Sequence, residues 1–319
     1  MTPDGIGSPL LWIGFLAFVL AMLAIDIGVF HRKAHEVSLK EAGIWSAVWV
    51  ALSAVFAAGV YGIFGSQKAL EFTTGYLIEK ALAVDNIFVF VVIFTTFGIP
   101  AIYQHRVLFW GILGALVMRA AFILAGGAFL ARFHWAIDVF GGILALTGVK
   151  LLVQRNREVH PERNPVVRAF QRLFPVTHQL QGEHFTVKKD GRRYATPLLL
   201  ALVAVEVTDL IFAVDSIPAI FAITRDPFIV FTSNIFAILG LRAMYFLLAG
   251  IIHRFVYLKV GLSFVLVFVG AKMLLVDVYK IPIGASLGII AAILGVSVLA
   301  SLLRPPGARS PAGEGGAAG

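Results

Sequence analysis

The chain carries the segment Glu206-Val-Thr-Asp209-Leu-Ile-Phe-Ala-Val-Asp215-Ser216-Ile-Pro218, which places three carboxylates inside an apolar run that extends from 198 to 223. An ionised side chain in the hydrocarbon of a bilayer is costly, so three of them on one segment require an explanation. An earlier segment has a similar pattern, Glu79-Lys80-Ala-Leu-Ala-Val-Asp85-Asn86. We expect the rest of the chain to hold these two segments against each other.

The composition is that of a polytopic helical membrane protein. Of the 319 residues, 59% are hydrophobic and 14% are charged, whereas a soluble domain carries about 25% charged residues. Long apolar runs recur along nearly the whole chain, and they are continuous rather than alternating, which excludes a transmembrane β-barrel. The first run, 10–30, has no basic residue before it and no small-residue cleavage pattern after it. We therefore predict a retained span and no signal peptide.

The apolar runs predict an all-α membrane protein with about nine transmembrane helices. Their ranges are roughly 9–30, 44–64, 76–98, 107–130, 135–153, 197–222, 228–250, 258–277 and 283–303. An odd number of spans puts the termini on opposite sides. Seventeen Arg and Lys residues then fall in the segments of one side and four in those of the other. The positive-inside rule predicts an N-terminus outside and a C-terminus in the cytoplasm, in what we expect to be the inner (plasma) membrane of a bacterium.

Two membrane halves, 1–153 and 197–303, flank one sizeable loop, 154–196, on the predicted cytoplasmic side. The first half of this loop is basic and proline-containing, and a short helix is predicted at 166–173. The second half, 184–196, predicts a small β-hairpin with its turn at Asp190-Gly191. The tail, 304–319, is rich in Gly, Ala, Pro and Ser, a composition that predicts disorder.

Several functional classes are excluded or disfavoured. The chain has no cysteine, which removes thiol redox chemistry, iron–sulfur ligation and thiolate metal sites. No phosphate-binding lysine loop and no glycine-rich dinucleotide turn is present. No nucleophile–base pairing or zinc-protease motif lies in the spans, so we expect no enzyme and no tightly bound cofactor. The net charge of +8 is explained by basic residues on the cytoplasmic side, and we expect no nucleic-acid partner.

An inverted repeat is predicted, because spans 3–5 resemble spans 6–8 in the same order. Ala83-Val-Asp-Asn86 aligns with Ala213-Val-Asp-Ser216, and the same shift puts Glu79 on Asp209. Two further matches follow, Ile112-Leu-Gly114 with Ile238-Leu-Gly240 and Gly148-Val-Lys150 with Gly270-Ala-Lys272. Spans 3 and 6 cross the membrane in opposite directions, so the halves are inverted, which is an architecture of many secondary transporters.

The intramembrane charges contain the candidate site. We predict metal ligands among seven side chains, namely Glu79, Asp85, Asn86, Glu206, Asp209, Asp215 and Ser216. Supporting roles are predicted for Asp26, Arg119, Arg242 and Lys272. The competing hypothesis is that the acids form structural salt bridges with the intramembrane bases. Five deep acids outnumber the available bases, which favours ligand or proton-relay roles for some of them.

Helical geometry predicts which of these groups face each other. At about 100° per residue, Glu79, Ala83 and Asn86 share one helix face. By the same spacing, Asp209 shares a face with Ser216. Pro218 removes a backbone donor, so we expect the helix around Asp215 to be bent or interrupted, with carbonyl oxygens freed beside the carboxylates.

The donor set consists of carboxylate, amide, hydroxyl and carbonyl oxygens, without Cys or His. Such hard donors suit Mn²⁺, Mg²⁺ or Ca²⁺ and disfavour Cu⁺. Carboxylates near one another can also exchange protons. The two chemistries combine in a cation/proton exchanger, because metal binds only to deprotonated carboxylates.

These motifs resemble the two signature boxes of the TerC family of integral membrane proteins. The likeness extends to Ala24-Ile-Asp26-Ile-Gly-Val-Phe, to Ser233-Asn234 through Leu241-Arg242, and to Gly270-Ala-Lys272-Met. The run Gly191-Arg-Arg-Tyr-Ala-Thr-Pro197-Leu is similar as well, so the resemblance covers about 10–303. The family is named for tellurium resistance, and the resemblance implies an association with manganese export and with metal supply to secreted enzymes.

The main hypothesis is a transporter of divalent cations, with Mn²⁺ efflux as the expected activity. Tellurite is an anion that carboxylates would repel, so a tellurium-resistance phenotype is expected to be indirect. Asp85, Asn86, Asp209 and Asp215 are the expected ligands, with Glu79 and Glu206 supporting the site or relaying protons. The rival hypothesis is a non-transporting membrane scaffold in a metal-stress or tellurite-resistance complex. Its basic inner loop would dock soluble stress-response or secretion partners.

Overall fold

The computed structural model describes residues 5–30, 37–133, 135–153, 164–177, 180–189, 191–249, 257–275, 278–279 and 281–303. Asp190, in the predicted hairpin turn, and the tail, 304–319, lie outside the described residues. Within the helices, the side chains of Asp26, Asp85 and Asp215 lie outside them too.

The described chain is helical apart from one small hairpin. The elements are α1 (Pro9–Phe30), α2 (Leu39–Thr96), α3 (Ala101–Arg132), α4 (Ala136–Val153), α5 (Pro165–Leu173), β1 (Thr186–Lys189), β2 (Arg192–Ala195), α6 (Pro197–Phe221), α7 (Pro227–Leu239), α8 (Leu241–Ala249), α9 (Leu258–Leu274) and α10 (Ile283–Leu303). Five helical segments among the described residues are long and apolar enough to cross a membrane, in α2, α3, α6, the α7–α8 pair and α10. The chain is therefore an all-α membrane protein. The number of crossings and the inverted repeat stay predictions.

The helix α2 runs for 58 residues with one break, at Gly65. Gly65 has φ +85° and ψ 177°, and positive φ is accessible to glycine without steric cost. A straight helix of this length would measure about 87 Å, whereas the hydrocarbon core is about 30 Å thick. The break therefore divides α2 into two segments, each long enough to span a bilayer. The second segment begins about ten residues before the start predicted for the third span, which is a correction.

Polar contacts with the α6–α7 connection account for these extra helical turns. Lys68 Nζ lies 3.0 Å from Glu71 Oε2 and 3.2 Å from Asp226 Oδ2. Thr224 donates a hydrogen bond of 2.6 Å to Glu71, and Asp226 accepts one from the backbone N–H of Phe228 at the start of α7. The apolar pattern alone predicts a loop at Lys68 and Glu71, because both residues are charged. In the helix their charged groups are satisfied by these bonds.

The helices α4 and α9 pack backbone to backbone along their glycines. A Cβ built on Gly270 would lie 2.6 Å from the nitrogen of Ala145 and 2.7 Å from the carbonyl oxygen of Gly141. A Cβ on Gly148 would lie 2.7 Å from the carbonyl oxygen of Ser263. Small residues permit this approach between membrane helices, where van der Waals packing replaces the hydrophobic drive of soluble proteins.

The helix α7 lies at the centre of the bundle, with every residue from 228 to 239 buried. Aromatic rings of α1 and α2 surround it. The ring of Phe236 lies 5.8 Å from that of Phe15 and 4.9 Å from that of Phe56, and Trp12 meets Phe228 edge-on at 5.3 Å. Rings at these separations contribute beyond their buried area, so α7 offers a fixed position for the polar residue Asn234.

The inner loop forms α5 and a hairpin that is anchored to α6. Strands β1 and β2 pair antiparallel, with Thr186 opposite Ala195 and Lys189 opposite Arg192. Gly191, at the turn, has φ +77°, as tight hairpin turns require. The hydroxyl of Thr196, the residue before α6, donates to backbone carbonyls at the start of the hairpin. The loop is thus folded onto one end of the bundle.

The sequence predicts a bend or an interruption beside Asp215, and the interruption is wrong, because α6 is helical from Pro197 to Phe221. Pro218 lies within the last turn of α6, so the backbone donor that it lacks does not end the helix beside Asp215, and the bend stays a prediction. The break lies instead at Gly240, between α7 and α8. Lys80 of α2 reaches this break and donates to the carbonyl of Ala237 at 3.2 Å. A cation at the C-terminal end of a helix complements its dipole.

Candidate functional site

Four helices converge on the guanidinium of Arg119, which lies in the middle of α3. Its Nη1 donates to Glu79 Oε2 of α2 at 2.8 Å and to Asn234 Oδ1 of α7 at 3.1 Å. Its Nε and Nη2 donate to the two carboxylate oxygens of Asp209 of α6 at 3.2 and 3.0 Å. The side chain of Asn234 also donates to Glu79 Oε1 at 2.7 Å. All four residues are buried.

Two predicted ligands are bound by Arg119 in this network. Glu79 and Asp209 both form salt bridges with it, which is the kind of supporting contact predicted for that arginine. Two carboxyl groups face one guanidinium, so the network holds one more acid than base. The bidentate contact with Asp209 is the stronger geometry for such a pair. These are the contacts that the structural salt-bridge hypothesis expects, and the roles of Glu79 and Asp209 as metal ligands stay predictions.

A cavity of about 80 Å³ lies next to the network. Its polar lining consists of Glu79, Asn86, Arg119, Thr147 and Ser216, and its apolar lining of Leu82, Leu151, Phe212, Leu262 and Leu266. This volume has room for a few water molecules. The predicted helix faces thus meet, since Asn86 of α2 and Ser216 of α6 line one space, with Thr147 of α4 beside them.

Two of the residues that line this cavity each have a buried oxygen without a hydrogen-bond partner among the described residues. These oxygens are Asn86 Oδ1 and Ser216 Oγ, which belong to side chains that are 2% and 1% exposed. A buried polar atom without a partner is costly, and such an atom in a native site indicates a bound water or ion or a functional role. Asp85 and Asp215, the predicted carboxylate ligands, are the preceding residues in each helix.

Glu206 lies apart from the Arg119 network although it is one turn from Asp209. Its carboxylate packs against Gly114 of α3, where an added Cβ would overlap it. Its Oε2 is buried and has no hydrogen-bond partner among the described residues. The glycine therefore makes room for a carboxylate that faces α3, one helical turn from Asp209, which Arg119 binds.

The other predicted supporting residues line separate pockets. Arg242 of α8 shares a pocket with Glu41, Trp45 and Trp49 near the start of α2. Lys272 of α9 lines a cavity of about 230 Å³ near the α6–α7 connection. Their predicted contribution to the central site is not tested by these positions, because the side chains of Asp85 and Asp215 are outside the described part of the chain.

Sequence reasoning missed two residues of the site, Asn234 and Thr147. Asn234 joins Glu79 to Arg119, and Thr147 lines the cavity. Asn234 had a detectable signal, since an amide in a fully apolar run must find hydrogen-bond partners. Thr147 had none, because a threonine in a membrane helix can bond its own backbone.

Comparisons with known proteins agree with the helical membrane fold. The family model described as "Integral membrane protein TerC family" matches residues 64–307. An uncharacterized membrane protein of Myxococcus xanthus is 62% identical over 303 residues, which covers 95% of each chain. A protein of Escherichia coli K12 named "Putative membrane-bound redox modulator Alx" is 50% identical over 298 residues, 91% of this chain and 93% of that one. No solved structure matches.

Proposed function

Because this chain belongs to the TerC family of integral membrane proteins, we propose that it transports divalent metal cations across the membrane. Mn²⁺ is the proposed substrate and efflux the proposed direction. The ions would bind at the cavity between α2, α4 and α6. The bundle would hold the site, and no resident cofactor takes part.

Two unpartnered oxygens on residues that line the cavity carry this proposal. Asn86 and Ser216 come from two different helices and line one cavity of about 80 Å³, and each has a buried oxygen, Oδ1 and Oγ, without a hydrogen-bond partner among the described residues. A cation bound in this cavity could be coordinated by the lone pairs that these side chains leave unused. Amide and hydroxyl oxygens are hard donors, which suit Mn²⁺, Mg²⁺ and Ca²⁺.

The charge balance of the site also favours a cation. Arg119 meets two carboxyl groups, those of Glu79 and Asp209, so the network holds one more acid than base. Asp85 and Asp215 add two more acids at the positions next to the cavity-lining Asn86 and Ser216. Excess negative charge in a membrane interior is stabilised by a bound cation or by protons.

A transport assay with purified protein in sealed liposomes tests the proposal. We expect ⁵⁴Mn²⁺ flux in the unmodified protein and its loss in Asp85→Asn and Asp215→Asn, with a lower apparent affinity in Asn86→Ala and Ser216→Ala. The matched control is Asp138→Asn, which neutralises an exposed acid of α4 and should leave flux unchanged. Flux that is the same in all five variants would refute the assignment of the site.

Proton coupling is a further part of the proposal. Metal binds only to deprotonated carboxylates, so binding on one side releases protons that must be returned on the other. We expect an imposed pH gradient to drive Mn²⁺ transport and a protonophore to abolish that drive. Transport that ignores the pH gradient would indicate a uniporter.

The rival proposal is a membrane scaffold, and it is supported by the folded, basic inner loop. A scaffold would show no metal flux in sealed liposomes, which separates the two proposals directly. The name of the E. coli relative points to redox modulation. Since this chain has no cysteine, it cannot carry out thiol–disulfide exchange itself. A redox effect would then follow from altered metal distribution.

A further inference from the structure

The inner-loop module, defined as residues 164–195, is docked on the end of the bundle where α3 and α6 begin. Val167 of α5 is fully buried and belongs to the same apolar cluster as Leu198 and Ala201, in the first turns of α6. Arg106, near the start of α3, forms a 2.6 Å ion pair with Glu183 of the module. Since α6 is a membrane-spanning helix, its first turns place the module at the boundary between bilayer and water.

The hairpin of this module has an unfavourable arrangement of charges. In the observed register, Lys188 lies opposite Arg193 and Lys189 opposite Arg192. All four side chains are exposed. Like charges directly opposite each other destabilise an antiparallel pair. Alternation along the strands puts one such pair on each face, so the tip is cationic on both sides.

Among the described residues of the module, Glu183 is the one acid, and Arg106 binds it. Asp190, in the turn, lies outside the described residues, and one acid is in any case fewer than the four cations of the two pairs. The positive-inside rule explains why the loop is basic, but it does not explain why the basic residues face each other. A ligand with several negative charges would offset the repulsion and hold the hairpin together.

The helix α5 indicates which anionic ligand is involved. Val167 faces the bundle, whereas Val166, Leu173 and Phe174 are exposed at 49%, 77% and 51%. Arg168 is exposed on the same short helix, and so is Arg172 in its last turn. Exposed apolar side chains next to arginines are typical of helices that lie in a membrane interface. The surface of a soluble acidic protein would complement the arginines but not these apolar side chains.

We propose that the inner-loop module binds the headgroups of anionic phospholipids in the leaflet on its side of the membrane. The hairpin cations contact the lipid phosphates, and the exposed apolar residues of α5 enter the acyl boundary. The pattern matches the general rule that clusters of four to eight basic residues beside a membrane helix bind anionic lipid. This site is separate from the central cavity and does not depend on the transport proposal.

A single fluorescent label tests the proposal, because the chain has no cysteine. Ala169→Cys places an environment-sensitive dye on the face of α5 that also carries Val166 and Leu173, since these residues are three and four positions from Ala169. The labelled full-length protein is reconstituted in nanodiscs of phosphatidylcholine with increasing phosphatidylglycerol. We expect a blue shift that saturates with phosphatidylglycerol and is reversed by about 1 M NaCl, where the screening length falls to about 3 Å.

Variants of the hairpin separate lipid binding from folding. Each single Gln substitution at Lys188 or Arg193 should weaken the response to phosphatidylglycerol about fivefold, as expected for one basic residue near an anionic surface. Lys189→Glu puts opposite charges across the pair with Arg192, which stabilises the hairpin while it weakens lipid binding. A reduced response in this variant therefore cannot be attributed to unfolding. The matched control is Arg132→Gln, at the other end of α3, which should respond as the unmodified protein does.

Three results would overturn the proposal. The first is a dye spectrum that is the same in phosphatidylcholine and phosphatidylglycerol. The second is a Lys189→Glu variant that responds as strongly as the unmodified protein. The third is a spectral change that phosphatidylglycerol does not produce but soluble polyglutamate does, which would assign the surface to an acidic protein partner.

Discussion

Removing the guanidinium of Arg119 should destabilise the fold more than any single surface charge can. Arg119→Met keeps a similar apolar length but deletes all four hydrogen bonds, at 2.8 to 3.2 Å, that hold α2, α6 and α7 to α3. The carboxylates of Glu79 and Asp209 then stay buried, at 2% and 3% exposure, without a cation. Removing one partner of a buried ion pair costs about 3–5 kcal/mol, because the remaining charge is uncompensated.

The loss should be measured as a free energy of unfolding in mixed micelles, followed by the fluorescence of the five tryptophans. The control Arg132→Met removes an exposed arginine from the end of the same helix. Its effect should stay within about 1 kcal/mol, since a charge at a helix end contributes about 0.3–1 kcal/mol.

A variant that also removes the two acids tests whether uncompensated buried charge causes the loss. Glu79→Gln and Asp209→Asn, added to Arg119→Met, remove the buried charges together. The amides of this triple variant are uncharged, so the uncompensated buried charges that dominate the loss are gone and only the smaller cost of unpaired polar groups remains. The triple variant should therefore recover a large part of the loss. The reasoning fails if the triple variant is no more stable than Arg119→Met, or if Arg119→Met unfolds like the Arg132→Met control.

Three further substitutions should lower the free energy of unfolding, in the same assay, by amounts that depend on the contact each one changes. Gly270→Ala forces a methyl group into the backbone of α4 and should cost about 1–3 kcal/mol, while Gly142→Ala, which meets open space, should be neutral. Asn234→Leu leaves a buried carboxylate short of one donor and should cost about 1–3 kcal/mol; a loss no larger than for Ser233→Ala would contradict this. Glu183→Gln breaks an ion pair whose side chains are 35% and 39% exposed, so its effect should not exceed about 1 kcal/mol.

Spacing along a helix let the sequence predict the meeting of the two acidic segments. Glu79 and Asn86 are seven residues apart, as are Asp209 and Ser216, and seven residues make about two helical turns. Any packing of α2 against α6 through these faces therefore brings the four polar groups together. That inference needs only local geometry, and the shared cavity and the common contact with Arg119 agree with it.

The sequence does not predict which acid each intramembrane base binds, because pairing depends on how the helices pack. Arg119 and Arg242 each follow the Ile-Leu-Gly motif of their half of the predicted repeat, yet Arg119 binds the central acids and Arg242 lines a pocket near the start of α2. The helix break lies at another position than the sequence predicts, for a related reason. Proline is a strong local signal for a break, but α6 stays helical through Pro218. Gly240 is a weak local signal whose break is stabilised by Lys80, a residue 160 positions earlier.

Gly114 and Gly240, which the predicted repeat aligns, each lie against a charged side chain from the other half of the chain, and the two side chains have opposite charges. Gly114 makes room for the carboxylate of Glu206, and a Cβ on Gly240 would lie 2.6 Å from the ammonium of Lys80. In each case the glycine lies against a helix of the other predicted half, although the repeat itself stays a prediction. The opposite charges mean that the two predicted halves are not electrostatically equivalent. If the halves exchange conformations in the proposed transport cycle, a carboxylate and an ammonium move into different surroundings, so the two states would differ in energy unless a bound cation or proton offsets the difference.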